Sequence, residues 1–329
     1  MSHPIARPLV AALLLTLPLA RAADQLPFVV VDTGQDRCFD ARQEIAFPAA
    51  GARLAGQDAQ YGGIAPAYTN HGDGTVTDLR TGLMWQRDPG VKLTYPEAAA
   101  GAAKFRLAGH ADWRLPTIKE LYSLMDFRGT DPRVMAGDTT GLRPFIDTNV
   151  FVFTYGREAD GERIIDAQFA TCSLYGGTTM GGHRTMFGVN FSDGRIKGYP
   201  ADATRGGGLK KYYVLHVRGN PAYGKNDFVE HRDGTITDRA TGLTWQQADS
   251  GRGMNWPDAL AYAEQLELGG HDDWRLPNAK ELQSLVDYAR SPDQTQSAAI
   301  DPVFQTTAIK NERGETDYPC FWSSTTHIS

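Results

Sequence analysis

Cysteine is scarce. Cys38, Cys172 and Cys320 are the only three in 329 residues. No two of them make a C-x-x-C pair, so no common structural zinc pattern is present. An exported chain usually pairs its cysteines and an odd count leaves one over, so at most one disulfide is expected, with no pairing preferred. Basic blocks are also missing. Lys210-Lys211 is the only adjacent lysine pair, and acids outnumber Lys and Arg by 39 to 33. Such a chain is not built for nucleic acid, and a sulfated polyanion suits it poorly. Long apolar runs are absent beyond residues 9–20, and that run is shorter than the ~20 residues a membrane span needs. The Gly/Thr-rich stretch 176–182 is not followed by Gly-Lys-Ser/Thr and is not a phosphate loop.

The run at residues 9–20 has the marks of a secretory signal. Arg7 supplies the positive charge before it, and Ala20-Arg21-Ala22 is a small-x-small cleavage site. Residues 1–22 are expected to be removed, leaving a soluble chain, periplasmic, secreted or at the cell surface, with no membrane span. Removal takes away Arg7 and Arg21 and makes the chain more acidic still.

What is present, twice, is one stretch. Gly109-His-Ala-Asp-Trp113-Arg114-Leu-Pro116-Thr-Ile-Lys-Glu120-Leu recurs as Gly270-His-Asp-Asp-Trp274-Arg275-Leu-Pro277-Asn-Ala-Lys-Glu281-Leu. Solenoid units repeat every ~20–50 residues, and this spacing is far longer, so a whole domain is duplicated. Residues 23–219 are assigned to the first copy with an N-terminal extension, and 220–329 to the second. Gly109 and Gly270 stand where a glycine ends a helix in the left-handed conformation. Trp-Arg-Leu is a short strand. Thr117 with Glu120, and Asn278 with Glu281, are capping boxes that start the next helix. Trp113, Arg114 and Glu120 could form a ligand site. A buried Trp, a paired Arg and a cap are commoner, and that packing reading is preferred.

Other elements repeat with it. Asp73-Gly74 before Thr75-Val76-Thr77, then Leu83-Met84-Trp85-Gln86, reads as a meander over residues 68–86, and Asp233-Gly234 with Leu243-Thr244-Trp245-Gln246 repeats it. Asp73, Thr75 and Asp78 could offer oxygens to calcium, but the rest of a calcium loop is missing and turn chemistry is preferred. No other cofactor is expected. Residues 94–107 read as a helix with a Thr94/Glu97 box and an inward stripe of Tyr95, Ala98, Ala99, Ala102 and Phe105. The second copy has Asn255 as cap, then Trp256, Ala259, Leu260, Ala263 and Leu266. Residues 118–125 and 279–286 read as further helices. Candidate strands are 28–31, 187–191, 195–199 and 212–217, and Gly219-Asn220-Pro221 is a linker. Phe321-Trp-Ser-Ser-Thr325 matches Phe169-Ala-Thr-Cys-Ser173, so the second copy stops before its closing hairpin and last strand, and is expected to be truncated.

Taken together, Gly-Asp-Gly-Thr-Val-Thr-Asp, Thr-Gly-Leu-Met-Trp-Gln, Asp-Trp-Arg-Leu-Pro-Thr-x-x-Glu-Leu, Trp-Ser-Ser-Thr and Asn-Phe-Ser-Asp-Gly-Arg resemble the Lcl C-terminal domain family, named for the C-terminal domain of a bacterial collagen-like surface adhesin. The likeness spans residues ~60–329 as two copies. No collagen-like Gly-x-y run accompanies it. The element order is also similar to the C-type-lectin-like fold, including its formylglycine-generating-enzyme-like version, although the paired active-site cysteines of that enzyme have no counterpart. The resemblance implies an α+β chain of tandem C-type-lectin-like domains, each with two helices against short antiparallel strands. Its structural signature falls on Trp85, Trp113, Arg114, Pro116 and Glu120, and on Trp245, Trp274, Arg275, Pro277 and Glu281. The first copy departs from the pattern at Ala170, where the Trp is lost. His216 stands where the family often has a cysteine, which would leave Cys38 without a partner.

The function expected from this is an exported, non-enzymatic binding module for a glycan or another cell-surface polymer, with sites on the loops 128–147 and 173–184. An envelope structural or protein-interaction domain is the alternative. An enzyme comes third, because no catalytic constellation is marked by spacing. His110 and His271 recur at equivalent positions, but each precedes an acidic turn and is expected to be exposed.

Overall fold

The computed structural model describes residues 26–132, 138–204 and 206–327. The expected export segment lies outside these residues, as do positions 133–137 of the long loop 128–147. The described chain is mixed α and β, with few short helices and several small antiparallel sheets. None of its helices is long and apolar enough to cross a membrane.

Each copy starts with the meander. Asp73 Oδ1 accepts the Thr75 amide at 3.0 Å and its hydroxyl at 2.6 Å, which closes the turn. Asp233 does the same for Thr235. The strands Tyr68–Asn70, Thr75–Asp78 and Leu83–Gln86 pair in order, as do Phe228–Glu230, Thr235–Asp238 and Leu243–Gln246. The first meander gains a fourth strand, Val217–Gly219, with Val217 opposite Trp85. Trp85 is completely buried as a result. Among the described residues no strand pairs with the outer side of Leu243–Gln246, and Trp245 stays half-buried.

The helices are shorter than their sequence pattern suggests. The first runs Tyr95–Ala102, with the Thr94/Glu97 capping box in place. Beyond it Lys104 and Phe105 bond back to Gly101 and Ala102, a tighter turn that ends the helix. Phe105 leaves the helical stripe to stack on His216, ring centroids 4.0 Å apart. Gly109 and Gly270 do have positive φ, 77° and 79°. They close tight hairpins at the Leu107–His110 and Leu268–His271 bridges, well past the helix ends. Trp113-Arg114-Leu115 forms a single bridge, Arg114 to Val217, and no regular strand. The next helices are Ile118–Tyr122 and Ala279–Ser284, and both keep their capping boxes. The residues after Tyr122 continue as turns, and they bury Leu124 and Met125 as the helical pattern required.

A second sheet completes the first copy: Gln168–Phe169, Leu174–Thr179, His183–Asn190 and Arg195–Pro200. The expected loop at 176–182 is therefore partly strand, and only its tip turns. The expected strand 212–217 is split. Lys211–Tyr212 pairs with Leu93–Thr94, whereas Val217–Gly219 joins the meander. Residues 28–31 make one parallel bridge, Val31 to Ile64, and no strand. The Gly219-Asn220-Pro221 link is packed, with Asn220 Nδ2 donating to the carbonyls of Thr81 and Pro27.

The main core belongs to the first copy, around Trp85, Leu121, Phe145, Phe151, Phe169 and Phe191. The second copy's own buried cluster is small: Ile236, Leu285 and Phe304. The N-terminal region compensates by packing against it. Phe28 joins the main core and bonds to Ala240, and residues 33–61 reach the last residues of the chain.

A candidate binding cleft between the two copies

The repeated signature residues form a scaffold. Glu120 is 2% exposed. One carboxylate oxygen accepts the Thr117 amide at 2.8 Å and Arg114 Nη1 at 2.7 Å, and the other takes Arg114 Nη2 at 2.5 Å. Glu281 holds Asn278 and Arg275 in the same way. These hydrogen bonds keep both guanidinium groups firmly protonated. Trp113 and Trp274 each donate their indole N–H to a backbone carbonyl, of Leu107 and Leu268. The carbonyls of Pro116 and Pro277 accept the amides of Cys172 and Ser324. The carboxylates are fully used inside the protein, but the outer face of Arg114 remains available.

The helices Ile118–Tyr122 and Ala279–Ser284 face each other across the junction. Lys119 Nζ donates to Ser284 O at 2.6 Å and Lys280 Nζ to Ser123 O at 2.9 Å. Burial lowers both ammonium pKa values to about 8. Tyr175 reaches Ser291 and Asp293 of the second copy. At the opposite end His327 stacks on Phe145 and lies 3.8 Å from Asp131. The contacts are reciprocal, so the junction has approximate twofold symmetry.

On one side of that axis the junction opens into a cleft of about 890 Å³. Tyr95, Ala99, Arg114, Cys172 and Ser173 form one wall. Tyr223, Lys225 and Asn226 of the link, with Phe228, Asp287, Tyr288 and Asp301, form the other. The Cys172 thiol opens into the cleft, and burial raises its pKa, with Glu120 adding to the rise and Arg114 opposing it. It is therefore no activated nucleophile. Burial also pushes the Tyr288 phenol up to about 12, so it remains a neutral donor.

The symmetry-related surface of the second copy is covered by the chain itself. Asp58 donates its amide to Ser324 O at 3.2 Å, and its carboxylate accepts Thr325 Oγ1 at 2.6 Å. The Tyr61 ring lies 5.4 Å from the Arg275 guanidinium. Ser324, Thr325 and Arg275 correspond to Cys172, Ser173 and Arg114, which line the open cleft. The backbone confirms this alignment: Ile118 N bonds Ser173 Oγ, and Ala279 N bonds Thr325 Oγ1.

The sequence profile of the Lcl C-terminal domain family matches residues 74–218 and again 234–329. The chain belongs to the Lcl C-terminal domain family. Its two Lcl domains meet at the lysine-braced junction, and the cleft lies between them. No curated protein and no solved structure matches the chain.

Several expected sites are placed elsewhere. Asp73 and Asp78 are used by their own turns, Asp78 Oδ1 accepting the amides of Arg80 and Thr81. Among the described residues no cluster of three or more His, Cys, Asp or Glu could hold a metal. His271 is exposed, and His110 is half-buried with its ring against Trp113. All three cysteines are free; Cys38 is buried. Of the loop 173–184 only its start, Ser173, reaches the cleft, and the described part of 128–147 does not line it. Tyr223, Lys225, Asp287, Tyr288 and Asp301 were not marked by sequence. No local pattern could mark them, because they converge only when the two domains dock.

Proposed function

We propose that the chain is an exported, non-enzymatic binding module with C-type-lectin-like domains, and that the inter-domain cleft takes its ligand, a glycan or another cell-surface polymer. The observation that carries this reading is the lining. Tyr95, Phe228 and Tyr288 offer rings, while Asn226, Asp287, Asp301 and Lys225 offer hydrogen bonds at the same site. Apolar platforms with a few convergent polar groups are the usual make-up of ligand sites, and the volume is ordinary for one. The reading asks nothing of the one thiol in the cleft, whose pKa burial raises.

The test is a binding panel on the whole chain, with neutral glycans, acidic glycans and cell-surface polypeptides. Ala99 is exposed on the cleft wall, so Ala99→Trp fills the cleft without disturbing the core. Saturable binding that Ala99→Trp abolishes is the expected result. Binding that survives Ala99→Trp places the site elsewhere, and no binding across the panel removes the reading. A polypeptide ligand is the second reading, favoured by the chain segment that covers the symmetry-related surface.

A further inference from the structure

We infer that the open cleft takes a peptide folded as one 3-10 turn, carrying an acidic residue followed three positions later by an aromatic ring, with the acid at Ser173 and the ring on Arg114. The inference rests on the cleft being the binding site. The second domain holds such a peptide on the equivalent groups, residues 57–61 of the chain itself. Its three anchors are an amide to a carbonyl, a carboxylate to a hydroxyl, and a ring on a guanidinium.

The first domain repeats each of these groups. Ser173 Oγ accepts the Ile118 amide at 3.0 Å, as Thr325 Oγ1 accepts that of Ala279, so its own O–H points to no described partner and is free to donate. The Cys172 carbonyl corresponds to the Ser324 carbonyl that Asp58 uses. Arg114 is locked by Glu120 as Arg275 is by Glu281, which fixes the plane on which a ring stacks. Arg114 is somewhat the more exposed, 38% against 30%, and only Arg275 is covered by a ring. One group differs. Tyr61 also donates its hydroxyl to Glu264, where the first domain has Ala103. The open cleft therefore needs the ring without the hydroxyl, and Phe should serve as well as Tyr.

The probe is a fluorescent synthetic peptide of residues 55–62, Ala-Gly-Gln-Asp-Ala-Gln-Tyr-Gly, titrated into the whole chain. The second domain's site is already filled by its own segment, so the peptide reads the open cleft. Saturable binding is expected. It should weaken about 5- to 10-fold when the peptide's Asp becomes Asn or its Tyr becomes Ala, and also in Ser173→Ala. Ala103→Glu changes an exposed residue and restores the missing acceptor. It should tighten the Tyr peptide several-fold and leave the Phe peptide unchanged. No saturable binding, equal binding of a scrambled peptide, or indifference to both protein variants overturns the inference. A glycan that binds in an Ala99→Trp-sensitive way while the peptide does not also overturns it, and leaves the cleft as the site.

Discussion

Lys119 and Lys280 brace the two domains reciprocally: each ammonium donates to the backbone carbonyl of the serine four residues after the other, Ser284 and Ser123. A twofold-related pair of buried cations is how an isologous dimer interface looks, and here both halves lie on one chain. Each lysine has a second acceptor as well, Asn226 Oδ1 for Lys119 and Asp32 O for Lys280. The link and the N-terminal region are thus tied to the same axis.

Lys280→Met should cost about 1–3 kcal/mol, because it leaves two carbonyls without their donor. Lys119→Met should cost a similar amount, and the pair should be non-additive because both act on one junction. Urea unfolding of the two single variants and the double variant checks this. Additive costs with no change in domain orientation would show that the braces are independent.

The same lysines set an alkaline slope. Their folded pKa values, about 8, lie below the unfolded value, so the unfolded chain binds more protons between about pH 8 and 10. Stability should therefore rise with pH across that window, by up to about 1.4 kcal/mol per pH unit for each lysine. The double Met variant should lose this slope. A flat profile in the native chain would contradict the burial of the ammonium groups.

His216 sets an acid slope. It is buried, its Nδ1 pairs with Gln86 Oε1 at 2.7 Å, its ring stacks on Phe105, and its Nε2 has no partner. Burial lowers its pKa to about 4. The unfolded chain binds the extra proton from about pH 6.5 down to 4, so stability falls as pH falls through that range. His216→Phe should flatten the curve there, as read by thermal melts between pH 4 and 7.

The two meanders should respond differently to proline. Gln86 N donates to His216 O at 2.9 Å, whereas the equivalent side of Gln246 faces no described strand. Gln86→Pro should cost about 1–3 kcal/mol more than Gln246→Pro, because only the first breaks a sheet hydrogen bond. Equal costs would mean that the second edge is paired after all.

Thiol labelling gives a direct map of the cleft. Cys172 and Cys320 are exposed and Cys38 is buried. Two thiols should react in the native state and the third only on unfolding. Cys172 should react slowly for an accessible thiol, because burial raises its pKa. A cleft ligand should protect Cys172 and leave Cys320 unaffected, which mass spectrometry of the labelled peptides would show.

Much of this protein was legible in local patterns. The duplication, the Asp-Gly turns, the capping boxes at Thr94, Thr117 and Asn278, and the burial of Leu121 and Met125 depend on residues a few positions apart, and local hydrogen bonds and periodicity decide them. Element lengths were less legible. Residues 103–107 keep a helical pattern, yet Phe105 is drawn away by His216, more than a hundred residues distant. The Gly176–Gly182 stretch reads as loop, yet pairing with His183–Asn190 makes most of it strand. The cleft was not legible at all. Its rings and charges come from two domains and their link, and the asymmetry that matters is set by residues 57–61, which cover one of two equivalent surfaces and leave the other open. That choice depends on which segment reaches which surface after docking, and spacing along the chain carries no record of it.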